Sequence, residues 1–204
     1  MQPATAASQP PRSHPQQARS REKVDRILAA SAELLQELSY DAVGTRLIAD
    51  RAGVSVGSLY RFFPDKDAIA RALLAGWFGK LASIMEGAAA GGLPAEPGAF
   101  IEQAFDSYAE FFRNEPGFRE VFFHVERDTE LELAGLVNDE EISARLQRAL
   151  AGRYGLSDPG LGVSCMIAVR VGNHLLKLAF KDDPRGDPVV LAEAKKLLRR
   201  YLGV

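Results

Sequence analysis

The segment TRLIADRAGVSVGSLYRFF, residues 45–63, constrains the fold of this chain more tightly than any other stretch. Ala49 is small where two helices must approach, and Gly53 permits the left-handed backbone of a tight turn. Ile48, Val54, Leu59 and Phe62 are apolar at positions that would pack two short helices onto a third. Thr45 is expected as the N-cap of the first short helix, which ends at Ala52, and Ser55 as the N-cap of the second. The spacing of Ala49, Gly53 and Leu59 is that of a helix-turn-helix. The covering helix lies just upstream. From Arg21 onward, Val24, Ile27, Leu28, Ser31, Leu34, Leu35 and Leu38 repeat at i, i+3, i+4, i+7, with Glu22, Lys23, Asp25, Glu33 and Glu37 on the opposite face. Ser39-Tyr40-Asp41 ends it.

Downstream, Asp65 can cap a long fourth helix from Lys66 to about Gly87, with Ile69, Leu73, Trp77, Leu81, Ile84 and Met85 as its apolar positions. After an Ala-, Gly- and Pro-rich loop, helices are expected at about 98–113, 116–124, 138–154, 159–181 and 188–202, with 128–136 as a helical turn or short extra helix. Asp187-Pro188 is a cap followed by a favoured first helical residue, and Gly203 stands where a helix C-cap belongs. No run alternates apolar and polar residues between hairpin turns, so the fold class is all-α. Residues 1–20 hold four Pro, four Gln and no acid, and are expected to be a disordered tail. This divides the chain into the tail 1–20, a three-helix unit 21–66, and a helical domain 67–204.

Composition removes several function classes. Cys165 is the one cysteine, which excludes an internal disulfide or a Cys-based zinc cluster and suits a reducing, cytoplasmic setting. No long uninterrupted apolar window predicts a membrane span, and no secretory signal is expected. With three His, no G-x-S-x-G, no phosphate-cradling Gly loop and no H-E-x-x-H, the sequence offers no nucleophile–base pair or metal cage. The expectation is a non-enzyme without a cofactor or metal.

The net charge of -2 gives no global attraction to polyanions, so a nucleic-acid surface has to be local. Residues 1–66 carry two more basic than acidic residues, and the remainder carries four fewer. What the second short helix leaves for solvent is Ser55, Val56, Gly57, Ser58, Tyr60 and Arg61, at a helix N-terminus whose free amides suit a phosphate. The tail brings Arg12 and Arg19 near this unit, with Arg21 beside them, where a basic arm could follow a minor groove; an untethered tail is the reading favoured.

Residues 21–85, and most specifically GTRLIADRAGVSVGSLYRFFPDKDAIARAL, resemble the N-terminal DNA-binding domain of the TetR family of bacterial transcriptional regulators. Ser39 and Gly44 stand where Gly and Thr are commoner in that family. The rest of the chain matches only in helix number, length and the long final helix pair. The resemblance implies a three-helix DNA-binding domain joined by a long fourth helix to a helical ligand-binding and dimerisation domain. It assigns Thr45, Ser58, Tyr60 and Lys66 to phosphates and lets Gly57 bring its backbone close to the duplex. Base readout falls to Arg46, Ser55, Val56 and Arg61, since a guanidinium can bond guanine bidentately and the Val56 methyls can touch a thymine methyl. The implied partners are a pseudo-palindromic double-stranded DNA operator, a small molecule, and a second copy of the chain. The expected function is a dimeric repressor released by an apolar or aromatic ligand. The alternatives are a helical protein-interaction bundle and an activator without a small-molecule inducer.

Eight of the Phe and Tyr residues fall between positions 100 and 123, more flat rings than a helical bundle ordinarily needs. They are expected in part to wall an apolar cavity. Trp77, Phe105, Tyr108, Phe112, Phe122 and the Arg170/His174 pair are the ligand-binding candidates, and His124 is a further polar candidate; each ring stays open between core and pocket. Cys165, Ala168, Gly172, Leu175 and Ala179 form a small-residue stripe on the penultimate helix. Leu191, Ala194, Leu197, Leu198 and Tyr201 form a stripe on the last helix, and by resemblance this pair is the dimer interface.

Overall fold

The computed structural model describes residues 15–90, 92–124 and 129–204. Among them the regular structure is helical throughout. Helix α1 (Pro15–Glu37) starts six residues before the expected Arg21. Pro15 fits the first helical position, and Gln16, Gln17, Ala18 and Arg19 are good helix formers with no breaker among them, so residues 15–20 of the expected tail are helical. Arg19 and Arg21 therefore project from α1, whereas Arg12 and the rest of 1–14 lie outside the described residues. Ile27, Ala30, Leu34 and Leu35 are buried, and Ser31 sits among them because its Oγ donates to the Ile27 carbonyl at 2.7 Å.

A 3-10 turn (Tyr40–Ala42) leads to α2 (Thr45–Ala52), where Gly44 and not Thr45 occupies the N-cap. Gly44 supplies extended backbone (φ -110, ψ 156), and Thr45 is already helical, its Oγ1 lying 3.0 Å from Tyr60 Oη. Gly53 closes α2 in the left-handed conformation (φ 63, ψ 38). Helix α3 (Val56–Phe62) is capped by Ser55, whose Oγ accepts the Ser58 N–H at 3.2 Å. Asp65 Oδ1 accepts the Ala68 N–H at 2.6 Å and starts α4 (Lys66–Ala90). Ile48, Ala49 and Leu59 are buried, α2 packing on α1 and α3 on α2; just beyond α3, Phe63 is buried, and Phe62 at its end is only partly so.

The second unit comprises α5 (Pro97–Asn114), α6 (Pro116–His124), α7 (Thr129–Tyr154), α8 (Leu161–Phe180) and α9 (Pro188–Leu202). Where a helical turn or short extra helix was expected at 128–136 ahead of a helix at 138–154, α7 is continuous, with fully buried Leu131 and Leu150 anchoring its two ends. Gly135, next to the expected break, costs such a helix about 1 kcal/mol, too little to break it against that packing. Asp187 Oδ1 accepts the N–H groups of Val189 and Val190 above Pro188, and Gly203 ends α9 at φ 72.

Between the two units lies an aromatic core. Phe118 of α6 meets Trp77 of α4 and Phe111 and Phe112 of α5 edge-on at 5.9, 5.1 and 5.2 Å. At Gly117 a Cβ would stand 3.1 Å from the Ala32 carbonyl oxygen, 3.3 Å from Leu35 Cβ and 3.3 Å from Trp77 Cζ2. Glycine at that position lets α6 press directly on α1. The small-residue stripe of α8 also packs inside the protomer: Cys165, Ala168, Gly172 and Ala179 are buried, and Leu198 and Phe105 approach Gly172. The expectation that this stripe forms the dimer interface is therefore corrected, because its small side chains are used to seat α9 and α5.

Candidate nucleic-acid interface and internal cavity

Burying Ile48, Ala49 and Leu59 turns the opposite faces of α2 and α3 outward, and Arg46, Ser55, Val56, Gly57, Tyr60 and Arg61 are all exposed there. Nothing stands within 4 Å of where a Gly57 Cβ would be, so that stretch of backbone is open to close approach. The Arg61 guanidinium carbon lies 5.1 Å from the Phe62 ring centroid. Tyr60 is half exposed, and its contact with half-buried Thr45 ties the start of α2 to α3. Ser58 differs from the expected phosphate anchor, because its Oγ is buried without a hydrogen-bond partner among the described residues while its N–H serves the Ser55 cap. Arg51 braces α2 on α1 through two bonds to Glu37, at 3.2 and 3.0 Å. That pairing holds the Glu37 carboxyl below its ordinary value and the Arg51 guanidinium above its own.

Lys66 is half-buried. Its Nζ donates to the Tyr40 carbonyl at 2.9 Å and sits 4.1 Å from the Tyr40 ring centroid, leaving further N–H donors of the ammonium for a phosphate. Tyr40 Oη donates to Asp67 Oδ1 at 2.6 Å, and the His124 ring lies beside the Tyr40 ring. Sequence reasoning passed over Tyr40 because Ser39-Tyr40-Asp41 reads as a helix stop. A large aromatic in a turn was the signal available, since a ring there has to be buried somewhere. His124 belongs to this junction between units and not to a ligand pocket; its Nε2 lies 3.7 Å from Asp41 Oδ1.

The second unit encloses a partly open cavity of about 410 Å³, within the ~300–1,000 Å³ range of small-molecule sites. Its walls are mostly apolar: Ile101, Phe105 and Tyr108 of α5, Leu146 of α7, Gly172 of α8 and Leu198 of α9. Helix α4 borders it through Ala82 and Glu86. Phe105 and Tyr108 thus line the cavity as expected from the sequence, and the other candidates do not. Trp77, Phe112 and Phe122 are buried in the aromatic core beyond the cavity, packed by neighbouring rings. Arg170 and His174 are exposed on the outer face of α8, since the inward stripe through Ala168, Gly172 and Leu176 leaves positions 170 and 174 roughly half a turn away. The Met85 side chain lies outside the described residues.

Polar side chains also reach the cavity wall, Tyr108 and Asn173 on α5 and α8 and Arg145 and Arg148 on α7 among them. Tyr108 Oη is buried with no hydrogen-bond partner among the described residues, Asn138 approaching it without reaching hydrogen-bond geometry. Burial, together with the nearby Asp139 charge, pushes the phenol above its ordinary value, so it remains an O–H donor at neutral pH. Asn173 lines the cavity and donates to Asp139 Oδ1 at 2.7 Å; burial raises the Asp139 carboxyl despite that bond and the charges of Arg170 and Lys177. Asn173 was missed because a single amide on a long apolar helix reads as a solvent-facing residue.

Residues 27–73 match the family model described as bacterial regulatory proteins, tetR family, and residues 95–203 match that of the tetracyclin repressor-like C-terminal domain. The chain is 50% identical over 46 residues to the HTH-type transcriptional repressor KstR of Mycobacterium tuberculosis. It is 40% identical over 75 residues to that of Mycolicibacterium smegmatis. These alignments span 22% and 36% of this chain and only 21% and 37% of those relatives. The fold is similar to that of a TetR-family transcriptional regulator from Streptomyces coelicolor, with a TM-score of 0.70, 32% identity, and coverage of 89% of this chain and 98% of that one. The solved regulator resembles the chain in both units at once, and the two family models cover the helix-turn-helix with the first turns of α4 and the helical domain from residue 95 on: the chain belongs to the TetR family, whose members are transcriptional regulators and not enzymes.

Proposed function

We propose that the chain is a homodimeric repressor that binds a pseudo-palindromic DNA operator through α2 and α3 and is released from it by a small apolar or aromatic molecule. The observation that carries this reading is the sidedness of the helix-turn-helix. Ile48, Ala49 and Leu59 are buried on its inner side, whereas Arg46, Ser55, Val56, Gly57, Tyr60 and Arg61 share the open side. Thr45 and Lys66 flank that side as phosphate contacts, whereas Ser58, its N–H already serving the Ser55 cap, supports the start of α3. A cytoplasmic location follows from the operator as partner.

Dimerisation is supported by apolar side chains left uncovered on the last two helices. Val163 (65%) and Leu178 (57%) are exposed on α8, and Leu197 and Tyr201 on α9. Helix α8 is long and apolar enough to cross a membrane by composition, yet only about a third of it is buried in the protomer. A second copy seated on that face accounts for both facts, and it places two recognition helices on one side of a duplex, ~34–36 Å apart or somewhat more.

Release is supported by the position of α4, which borders the cavity at Ala82 and Glu86 and begins at Lys66 beside the DNA-facing helices. Rings connect the same regions, Tyr108 to Phe112 at 5.8 Å, Phe112 to Phe118 at 5.2 Å and Phe118 to Trp77 at 5.9 Å. A ligand that prefers one tilt of α4 shifts operator affinity by its differential affinity for the two states, typically ~5- to 150-fold.

The test is a mobility shift with DNA flanking the protein's own gene, paired with sedimentation. The expected result is a dimer bound to one site, and Val163→Glu yields a monomer with weakened specific binding. A wild-type protein that stays monomeric at micromolar concentration, or that binds flanking and random DNA equally, overturns the reading.

A further inference from the structure

Resting on the ligand-release reading above, the unpartnered Tyr108 hydroxyl narrows what the cavity accepts. The cavity walls are largely apolar, and leaving a buried O–H unbonded is costly, so an occupant that supplies an acceptor gains more than its apolar area alone provides. The charge beside that hydroxyl decides which acceptor. Asp139 is near enough to act on the phenol and accepts the Asn173 amide at 2.7 Å, and the charges of Arg170 and Lys177 act on that same carboxylate. A ligand carboxylate placed at Tyr108 would bring a second negative charge into a half-buried site holding one. A ketone or hydroxyl oxygen carries no such penalty.

We propose that the cavity takes a mainly apolar molecule bearing one uncharged oxygen acceptor, a ketone or alcohol, whose oxygen receives the hydrogen bond of Tyr108 Oη while Phe105, Leu146 and Leu198 hold its hydrocarbon body. The ligand enters with that oxygen toward Asn173. Helix α4 borders the same cavity at Ala82 and Glu86.

Three probes of one shape test this by isothermal titration of the full chain without DNA: 4-phenyl-2-butanone, butylbenzene and 4-phenylbutyrate. The ketone is expected to bind about three- to tenfold more tightly than butylbenzene, the worth of one neutral hydrogen bond, and also more tightly than the carboxylate. Tyr108→Phe removes the ketone's advantage and leaves butylbenzene binding unchanged, which also shows that the variant folds. Leu146→Trp, which fills the cavity from α7, abolishes binding of all three. Unchanged ketone affinity in Tyr108→Phe, tightest binding by the carboxylate, or no binding of any probe to the wild type overturns the proposal. Operator release is read separately, by fluorescence anisotropy of the flanking DNA. Tyr108-dependent ketone binding without release removes the release reading and leaves the cavity chemistry standing; release with no dependence on Tyr108 does the reverse.

Discussion

The rings of Tyr40 and His124 lie 4.3 Å apart, centroid to centroid, and join the turn after α1 to the last turn of α6. On its other contacts Tyr40 carries the Lys66 ammonium and bonds Asp67, so one side chain touches the start of α4 and the end of α6. Replacing His124 by Ala removes a ring contact worth about 0.5–1.5 kcal/mol. It touches none of the residues that face DNA. Urea unfolding is expected to show a loss of that size, and operator affinity in the presence of a saturating cavity ligand should change more than affinity in its absence. Equal effects in both conditions would make the pair a stability contact alone.

Arg61 and Lys66 separate readout from anchoring. Arg61→Ala is expected to cost ~1–3 kcal/mol on the operator and to relax preference at one base position. Lys66→Ala should weaken binding to all sequences alike and reduce the salt slope by about one. Because Lys66 also bonds the Tyr40 carbonyl, the variant should lose stability by about 1 kcal/mol. Binding isotherms on specific and random DNA at several salt concentrations check both.

Two glycines predict opposite signs. Gly79 lies mid-helix in α4 with nothing within 4 Å of where an added methyl would stand, so Gly79→Ala should stabilise by roughly 0.5–1 kcal/mol. Gly117→Ala pushes a methyl against a helical carbonyl of α1 and the Trp77 ring together, and should destabilise by about 1–3 kcal/mol. Trp77 is the single tryptophan, so its emission reports the second displacement directly.

Asp139 sets a pH dependence. Burial raises its carboxyl in the folded protein, so its ionisation favours the unfolded chain, and the stability it contributes in protonated form is lost as pH rises through the folded value. Asp139→Asn keeps an acceptor for the Asn173 amide without the charge. The stability difference, variant minus wild type, should be more positive at pH 7 than at pH 3.5, where the wild-type carboxyl is largely protonated. Denaturant unfolding at the two pH values checks the sign, and a difference independent of pH would place Asp139 in water.

The sequence by itself determined the helix-turn-helix, its boundaries to within a residue, and the caps at Ser55, Asp65, Asp187 and Gly203. Those features depend on local backbone geometry and on a hydrophobic period that a few neighbouring residues encode. It also carried the all-α class, and it narrowed the cavity to a stretch containing Phe105 and Tyr108. Tertiary structure decided the rest, because a side chain's role depends on what packs against it from far along the chain. Periodicity alone could not tell that Arg170 and His174 turn outward while Asn173 turns in, since the phase of α8 is fixed by where α5, α7 and α9 lie. Nor could it show that the small-residue stripe seats α9 within the protomer, leaving Val163 and Leu178 uncovered. The continuity of α7 across Gly135 was likewise settled by the burial of Leu131 and Leu150 against other helices, a gain larger than the local cost of one glycine.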